Sequence, residues 1–263
     1  MKLAVAATAP FGADVLERLA DRHDVVALLT RPDAPRGRGR TVAPPPAKEV
    51  AARKEIPVLQ PERLGPEVAL DADAIVVAAY GLLIPESLLG RGLWLNVHPS
   101  LLPRWRGAAL VERTIMAGDQ ETGVTIHRTI EELDAGPIAA QGRFPIGPDD
   151  DAGAVFAQAA EAAVDLLDDV LPEPTFVPQP DDGVTYADKI TAADRGLDWN
   201  RPAQELHDRV RALSPHIGAR GVVEGRRVLV WRTRVTDGKL ELLEVQPEGK
   251  RRMTYEEFLR GLR

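Results

Sequence analysis

The chain contains no cysteine, which removes disulfide frameworks, thiolate nucleophiles and zinc–thiolate sites together. No apolar run approaches the roughly 20 residues that a membrane-spanning helix needs. The apolar opening, Leu3 to Ala9, reads as a first strand, because no cleavage site of the kind that ends a secretory leader follows it. Thr8-Ala-Pro-Phe-Gly12 stands where a dinucleotide-binding fold would carry G-x-G-x-x-G, so a nicotinamide dehydrogenase is disfavoured. A P-loop ending in Gly-Lys-Ser/Thr and a G-x-S-x-G nucleophile elbow are also missing. These absences leave a soluble, cytoplasmic protein with no membrane partner as the expectation.

What is present is ordinary in bulk and uneven in charge. At 263 residues and 44% apolar content, one large and one small domain are expected. Net charge is −7, yet residues 201–263 hold 14 lysines and arginines against 9 acids, while the first 200 residues hold 19 against 31. A basic part within an acidic chain suits an anionic partner, although chance clustering on a solvated surface gives the same count.

Near-continuous apolar runs at 2–8, 24–30, 75–80 and 93–97 alternate with helical spacing such as Val15, Leu16 and Leu19. That order predicts a doubly wound, mostly parallel sheet of Rossmann-like α/β class. Residues 124–130 alternate apolar and polar, as a strand near an edge or half exposed does. Ligands of such sheets sit outside the carboxyl ends of the strands, where Tyr80-Gly81 and Asn96-Val97-His98 fall. A helix over 153–170 has a packing stripe. Four prolines between Leu171 and Pro180 then predict a stiff linker. The expected domains are 1–171, a connecting segment over 172–200, and a small β domain over 201–263.

Three stretches carry chemistry. In Asn96-Val-His-Pro-Ser-Leu-Leu-Pro-Arg-Trp-Arg-Gly-Ala-Ala109, Asn96 and His98 are two apart on a strand and project from one face; by itself the pair reads equally well as two satisfied polar residues. The segment from Arg31 to Pro46 places Arg31, Arg36, Arg38 and Arg40 among glycines, against Asp33 alone. Guanidinium forks there suit phosphates, although a basic surface loop needs no ligand. In Leu133-Asp-Ala-Gly-Pro-Ile138, Asp134 stands just ahead of Gly136 and, taken alone, reads as a turn residue.

Together these strings resemble the 10-formyltetrahydrofolate-dependent formyltransferases, with Ser100-Leu-Leu-Pro103 intact. The Arg/Gly loop, Val77 to Pro85, Ala117 to Thr125, Val184 to Lys189 and Leu197-Asp-Trp199 resemble the methionyl-tRNA formyltransferase branch. The resemblance implies Asn96, His98 and Asp134 as catalytic residues. It implies 10-formyltetrahydrofolate as formyl donor, held around Tyr80, Gly81, Leu82, Ser100, Leu101, Leu102 and Pro103. It also implies initiator methionyl-tRNA as acceptor, gripped through Arg31, Arg36, Arg38 and Arg40, and a second domain of the oligonucleotide-binding barrel type.

Formyl transfer explains the residue types. A carboxamide and an imidazolium N–H can stabilise an oxyanion, and Asp134 is expected to raise the pKa of His98 and help take the amine proton. A metal is the rival use of His98 and Asp134 with His127, but no H-x-x-x-H or comparable spacing supports it, so no metal is expected. A monomer is expected. The chain departs from the family at its end: only three or four strands are visible over 205–250, so a shortened, OB-like barrel is predicted. That leaves two rivals, a formyltransferase for a small amine such as a nucleotide-linked amino sugar, and a folate- or RNA-binding paralogue of low activity.

Overall fold

The computed structural model describes residues 1–36 and 41–262. Its elements in chain order are β1 (Lys2–Ala7), α1 (Pro10–Ala20), β2 (Asp24–Leu29), β3 (Ala34–Arg36), β4 (Thr41–Ala43), α2 (Pro46–Arg53), β5 (Val58–Leu59), β6 (Ala74–Ala78), α3 (Glu86–Leu89), β7 (Leu93–His98) and β8 (Arg106–Gly107). They continue with α4 (Leu110–Met116), β9 (Glu121–Arg128), β10 (Ile138–Pro145), α5 (Ala152–Val170), β11 (Tyr186–Ala187), α6 (Ala203–Leu213), β12 (Ala219–Val223), β13 (Arg226–Thr236), β14 (Lys239–Pro247), β15 (Met253–Thr254) and α7 (Tyr255–Arg260).

The chain divides into two compact units. The first comprises 1–106, 123–143 and 157–185; the second comprises 107–122, 144–156 and 186–263. A seven-stranded sheet runs in the order β10-β9-β7-β6-β1-β2-β5. Pairs β1/β2, β1/β6, β2/β5 and β6/β7 are parallel, while β9 runs antiparallel to β7. This is the expected mixed, mostly parallel sheet. β6 is buried throughout and β1 from its second residue on, which is why both read as unbroken apolar runs rather than alternating ones. The chain winds outward through β1, β2 and β5, then returns to β6 on the other side of β1. That reversal opens a crevice beyond the carboxyl ends of the central strands.

One strand differs in part from its reading. β9 is near an edge, between β7 and the edge strand β10, but it is not half exposed: six of its eight residues are buried. The alternation seen in its sequence arose because buried Thr125 and His127 are polar for a reason of their own, described below.

In the second unit, α6 packs Val210 and Leu213 with Ala219, Val228, Val230, Val245 and Phe258. The sheet there is antiparallel, in the order β12-β13-β14-β15, and stands where the shortened barrel was expected. Its first two hairpins turn on Glu224-Gly225 and Asp237-Gly238, all four residues having positive φ. Two-residue turns of this hand match the twist of the strands they join. α7 begins on a reciprocal cap between Thr254 and Glu257.

Candidate active site

β7 delivers Asn96 and His98 to the carboxyl edge of the sheet, in register with Val77 of β6 on one side and with β9 on the other. Asn96 lies opposite His127, and His98 opposite Thr125. Asp134 enters from the loop that joins β9 to β10. The structure therefore brings the three expected catalytic residues together. Asn96 Nδ2 is 3.3 Å from Asp134 Oδ1, and His98 Nδ1 is 3.6 Å from the same oxygen. It also adds a fourth residue, His127, whose Nε2 is 3.1 Å from Asn96 Nδ2 and 3.9 Å from Asp134 Oδ1. His98, His127 and Asp134 are only 3%, 1% and 8% exposed.

The hydrogen bonds assign the protons. His98 Nε2 donates to the carbonyl of Trp105 (3.0 Å), which leaves the Nδ1 lone pair facing Asp134. His127 Nδ1 donates to the carbonyl of Arg128 (3.1 Å), so its Nε2 accepts from the Asn96 amide. One chain of bonds thus fixes the Asn96 carboxamide with its nitrogen, not its oxygen, toward Asp134.

Burial decides the charge state. Removal from water pushes His98 down to about 4, against a smaller upward effect of its bond to Trp105. Burial likewise pushes His127 down to about 4, helped by its nearness to His98. The expectation that Asp134 raises the pKa of His98 is therefore corrected: desolvation wins, and the ring is a neutral imidazole at pH 7.

Several backbone features hold this arrangement. Trp105 (φ 64°) and Asp134 (φ 51°) both occupy the left-handed region, a strain that surrounding contacts must sustain. At Gly136 a β-carbon would lie 1.8 Å from the Arg128 carbonyl, so no other residue allows the loop to pass so close to β9. Gln179 then bolts the loop down. Its Nε2 donates to the carbonyls of Asp134 (2.7 Å) and Gly136 (2.8 Å), and its Oε1 accepts from the buried Arg106 (2.8 Å). Gln179 belongs to the proline-rich stretch, which also pairs Val177 with Ile138 in both directions. Proline content signalled an extended segment, but nothing in it signalled what the segment lies against.

The residues expected around folate occupy the same sheet edge with mixed exposure. Ser100 and Leu102 are buried. Ser100 Oγ is spent on the Arg104 carbonyl, and the Leu102 backbone is tied to Thr125 and Gln141. Leu82, Leu101 and Pro103 are half-buried, and Gly81 is exposed with φ 78°. Tyr80 is buried with a hydroxyl that has no hydrogen-bond partner among the described residues. Half-buried apolar side chains beside an orphaned hydroxyl suit a flat ring system edged with polar atoms.

At the arginine segment, β3 and β4 form an antiparallel hairpin, Arg36 opposite Thr41. Arg36 is described through its backbone alone, and Arg38 and Arg40 lie outside the described residues. Arg31 is exposed and close enough to Tyr80 to act on its hydroxyl. Asp33, the lone acid of the segment, is engaged by Gln60 and Lys48 and held below the usual carboxylate range by them.

Residues 1–171 match the formyl transferase family, and residues 189–239 match the formyl transferase C-terminal domain. The methionyl-tRNA formyltransferase of Xanthomonas axonopodis pv. citri is 44% identical over 264 residues, 95% of this chain and 84% of that protein. The methionyl-tRNA formyltransferase of Paracoccus denitrificans is 40% identical over 292 residues, 100% of this chain and 98% of that protein. A solved structure, methionyl-tRNA formyltransferase from Clostridium thermocellum, superposes with a TM-score of 0.67 at 14% identity, over 94% of this chain and 98% of that one.

Proposed function

Because this chain belongs to the formyl transferase family, we propose that it transfers the formyl group of 10-formyltetrahydrofolate to the α-amino group of initiator methionyl-tRNA. The observation that carries the reaction is the convergence of Asn96, His98 and Asp134 on one buried oxygen-centred cluster at the ligand edge of the sheet. The acceptor follows from the likeness to relatives of that name along the whole chain, together with the arginine hairpin. We assign the transfer to 1–171, with 172–200 as the connection and 201–263 as the shortened RNA-facing domain, in a cytoplasmic monomer.

The formyl donor supplies an activated one-carbon acyl group, and the aminoacyl-tRNA supplies the amine. Both N–H groups of Asn96 are engaged, by His127 and Asp134; one of them, turned to the acyl oxygen when the donor binds, would stabilise the charge developing there by about 3–4 kcal/mol. His98 holds a lone pair at Nδ1, because its other nitrogen is committed to Trp105. We assign that atom as the base that takes the amine proton. The imidazolium so formed faces Asp134 at 3.6 Å, which balances its charge in a site where water does not. The same Nδ1–H is then the donor that returns the proton to the departing nitrogen. Tyr80, Leu82, Leu101 and Pro103 hold the donor's ring.

The test is formylation of charged initiator tRNA, with charged elongator methionyl-tRNA beside it. Initiator-selective transfer is expected. No transfer to either, with folate binding retained, overturns the acceptor assignment and directs the search to small amines.

A further inference from the structure

His98 Nδ1, His127 Nε2 and Asp134 Oδ1 all lie within 4.8 Å of one another, and two of the separations are 3.6 and 3.9 Å. In metal sites, a ligating histidine almost always donates its second ring N–H to a carbonyl or carboxylate, which fixes the tautomer and aims the first nitrogen. Both rings here do so, His98 to Trp105 and His127 to Arg128. Both lone pairs are consequently aimed at one carboxylate oxygen. We propose that these three atoms form a binding site for a single divalent transition-metal ion of the zinc class, and that the bound ion blocks formyl transfer by occupying the lone pair that receives the amine proton. The blocking half rests on the function proposed above; the binding half does not.

The dimensions are those of a site that closes slightly on its ion. Two ligands of a tetrahedral ion bound at about 2.0–2.2 Å lie about 3.3–3.6 Å apart. The His98–Asp134 gap of 3.6 Å already meets that figure, the His127–Asp134 gap of 3.9 Å is slightly longer, and the widest separation, within 4.8 Å, needs a contraction of about 1–1.5 Å. Asn96 now donates to two of the three ligand atoms. A lone pair that accepts an amide N–H is one that a cation can take instead, and turning the carboxamide over would offer its oxygen as a fourth ligand. Imidazole and carboxylate donors without thiolate suit zinc and cobalt.

The competing histidines are poorer. His207 has both ring nitrogens bonded, to Thr233 and to the Pro148 carbonyl. His23 is bonded to Asp168, which also accepts from Arg22, whose guanidinium holds Asp165 as well.

The chain, stripped with a chelator and desalted, would be titrated with Co²⁺ and Zn²⁺. Expected is one ion per chain, with the visible ligand-field bands of a low-coordinate cobalt site. His127→Gln and Asp134→Asn should each weaken binding by more than the roughly 10–100-fold that losing an outer-shell partner costs. His23→Gln, His207→Gln and His216→Gln should leave it unchanged. Nitrogen resonances of the unaltered protein guard against a misfolded variant: zinc should shift His98 Nδ1 and His127 Nε2 and leave their bonded partners nearly fixed. No bound ion, or binding that follows His23 or His216, overturns the site. One equivalent of zinc should abolish transfer and a chelator restore it; full activity with the ion bound overturns the blocking role, whatever acceptor the enzyme uses.

Discussion

A histidine that is neutral because it is sealed from water behaves differently with pH from one that is charged because an aspartate faces it. For His98 the folded value is about 4 against an ordinary 6.5. Between those values the unfolded chain binds a proton that the folded chain refuses, so folding stability is complete above about 6.5 and is lost as pH falls toward 4. His127 shifts the same way. Thermal unfolding should therefore occur at a clearly lower temperature at about pH 5 than at about pH 7.5. The acid limb of kcat/KM, which reports the free enzyme, should fall near the His98 value of about 4; a limb at the ordinary histidine value or above would mean that Asp134 prevails over burial. Asn96→Ala should lower kcat by about 10²–10³-fold, with folding preserved, as loss of one oxyanion donor does elsewhere. Equal activity in that variant would remove Asn96 from the reaction.

At the level of elements, the loop that carries Asp134 is held by a segment distant in sequence. Gln179 makes four bonds, donating two to the carbonyls of Asp134 and Gly136 and accepting two from Arg106. Gln179→Ala leaves those buried groups short of partners, a loss of about 1–3 kcal/mol, and frees Asp134 to move away from His98. The expected result is a kcat reduced at least about tenfold with KM for the folate nearly unchanged, and not rescued by Gln179→Glu, which keeps the acceptor for Arg106 but loses both donors to the loop carbonyls. A fall in stability alone, with kcat intact, would reduce the segment to a plain connector.

The same segment marks the limit of what the sequence discloses. β7 was legible because period-two spacing fixes that Asn96 and His98 share a face, whatever lies beside them. The strands visible over 205–250 were legible for a similar reason: the signal is local. His127 was not, since its part in the site comes from the pairing of β9 with β7 opposite Asn96, a relation between residues 31 apart. Gln179 is farther still, 45 residues from Asp134, and sits among prolines whose composition speaks of stiffness alone. The site's chemistry was written in short strings, and its supports in long-range contacts.

Over the whole molecule, charge is arranged against the net. The acidic first 200 residues carry a basic hairpin, and the last 63 are basic overall. The hairpin's one acid is already engaged: Lys48 holds Asp33 at 2.8 and 2.9 Å. In the second unit, a groove of about 1090 Å³ is lined by Trp199, Arg201, Arg232, Arg234 and Tyr255, although Arg234 is spent on Glu241. Each phosphate that is no longer neutralised makes the dependence of log affinity on log salt shallower by about 0.7–0.9. Replacing Arg36, Arg38 and Arg40 by alanine should therefore raise KM for the tRNA strongly at low salt, reduce the salt slope by about two to three, and leave KM for the folate unchanged. The matching change at Arg232 alone should cost about one unit of slope. A triple variant with an unaltered slope would show that the hairpin touches no phosphate, and an enzyme whose turnover ignores salt throughout would be acting on an acceptor that carries no backbone of phosphates at all.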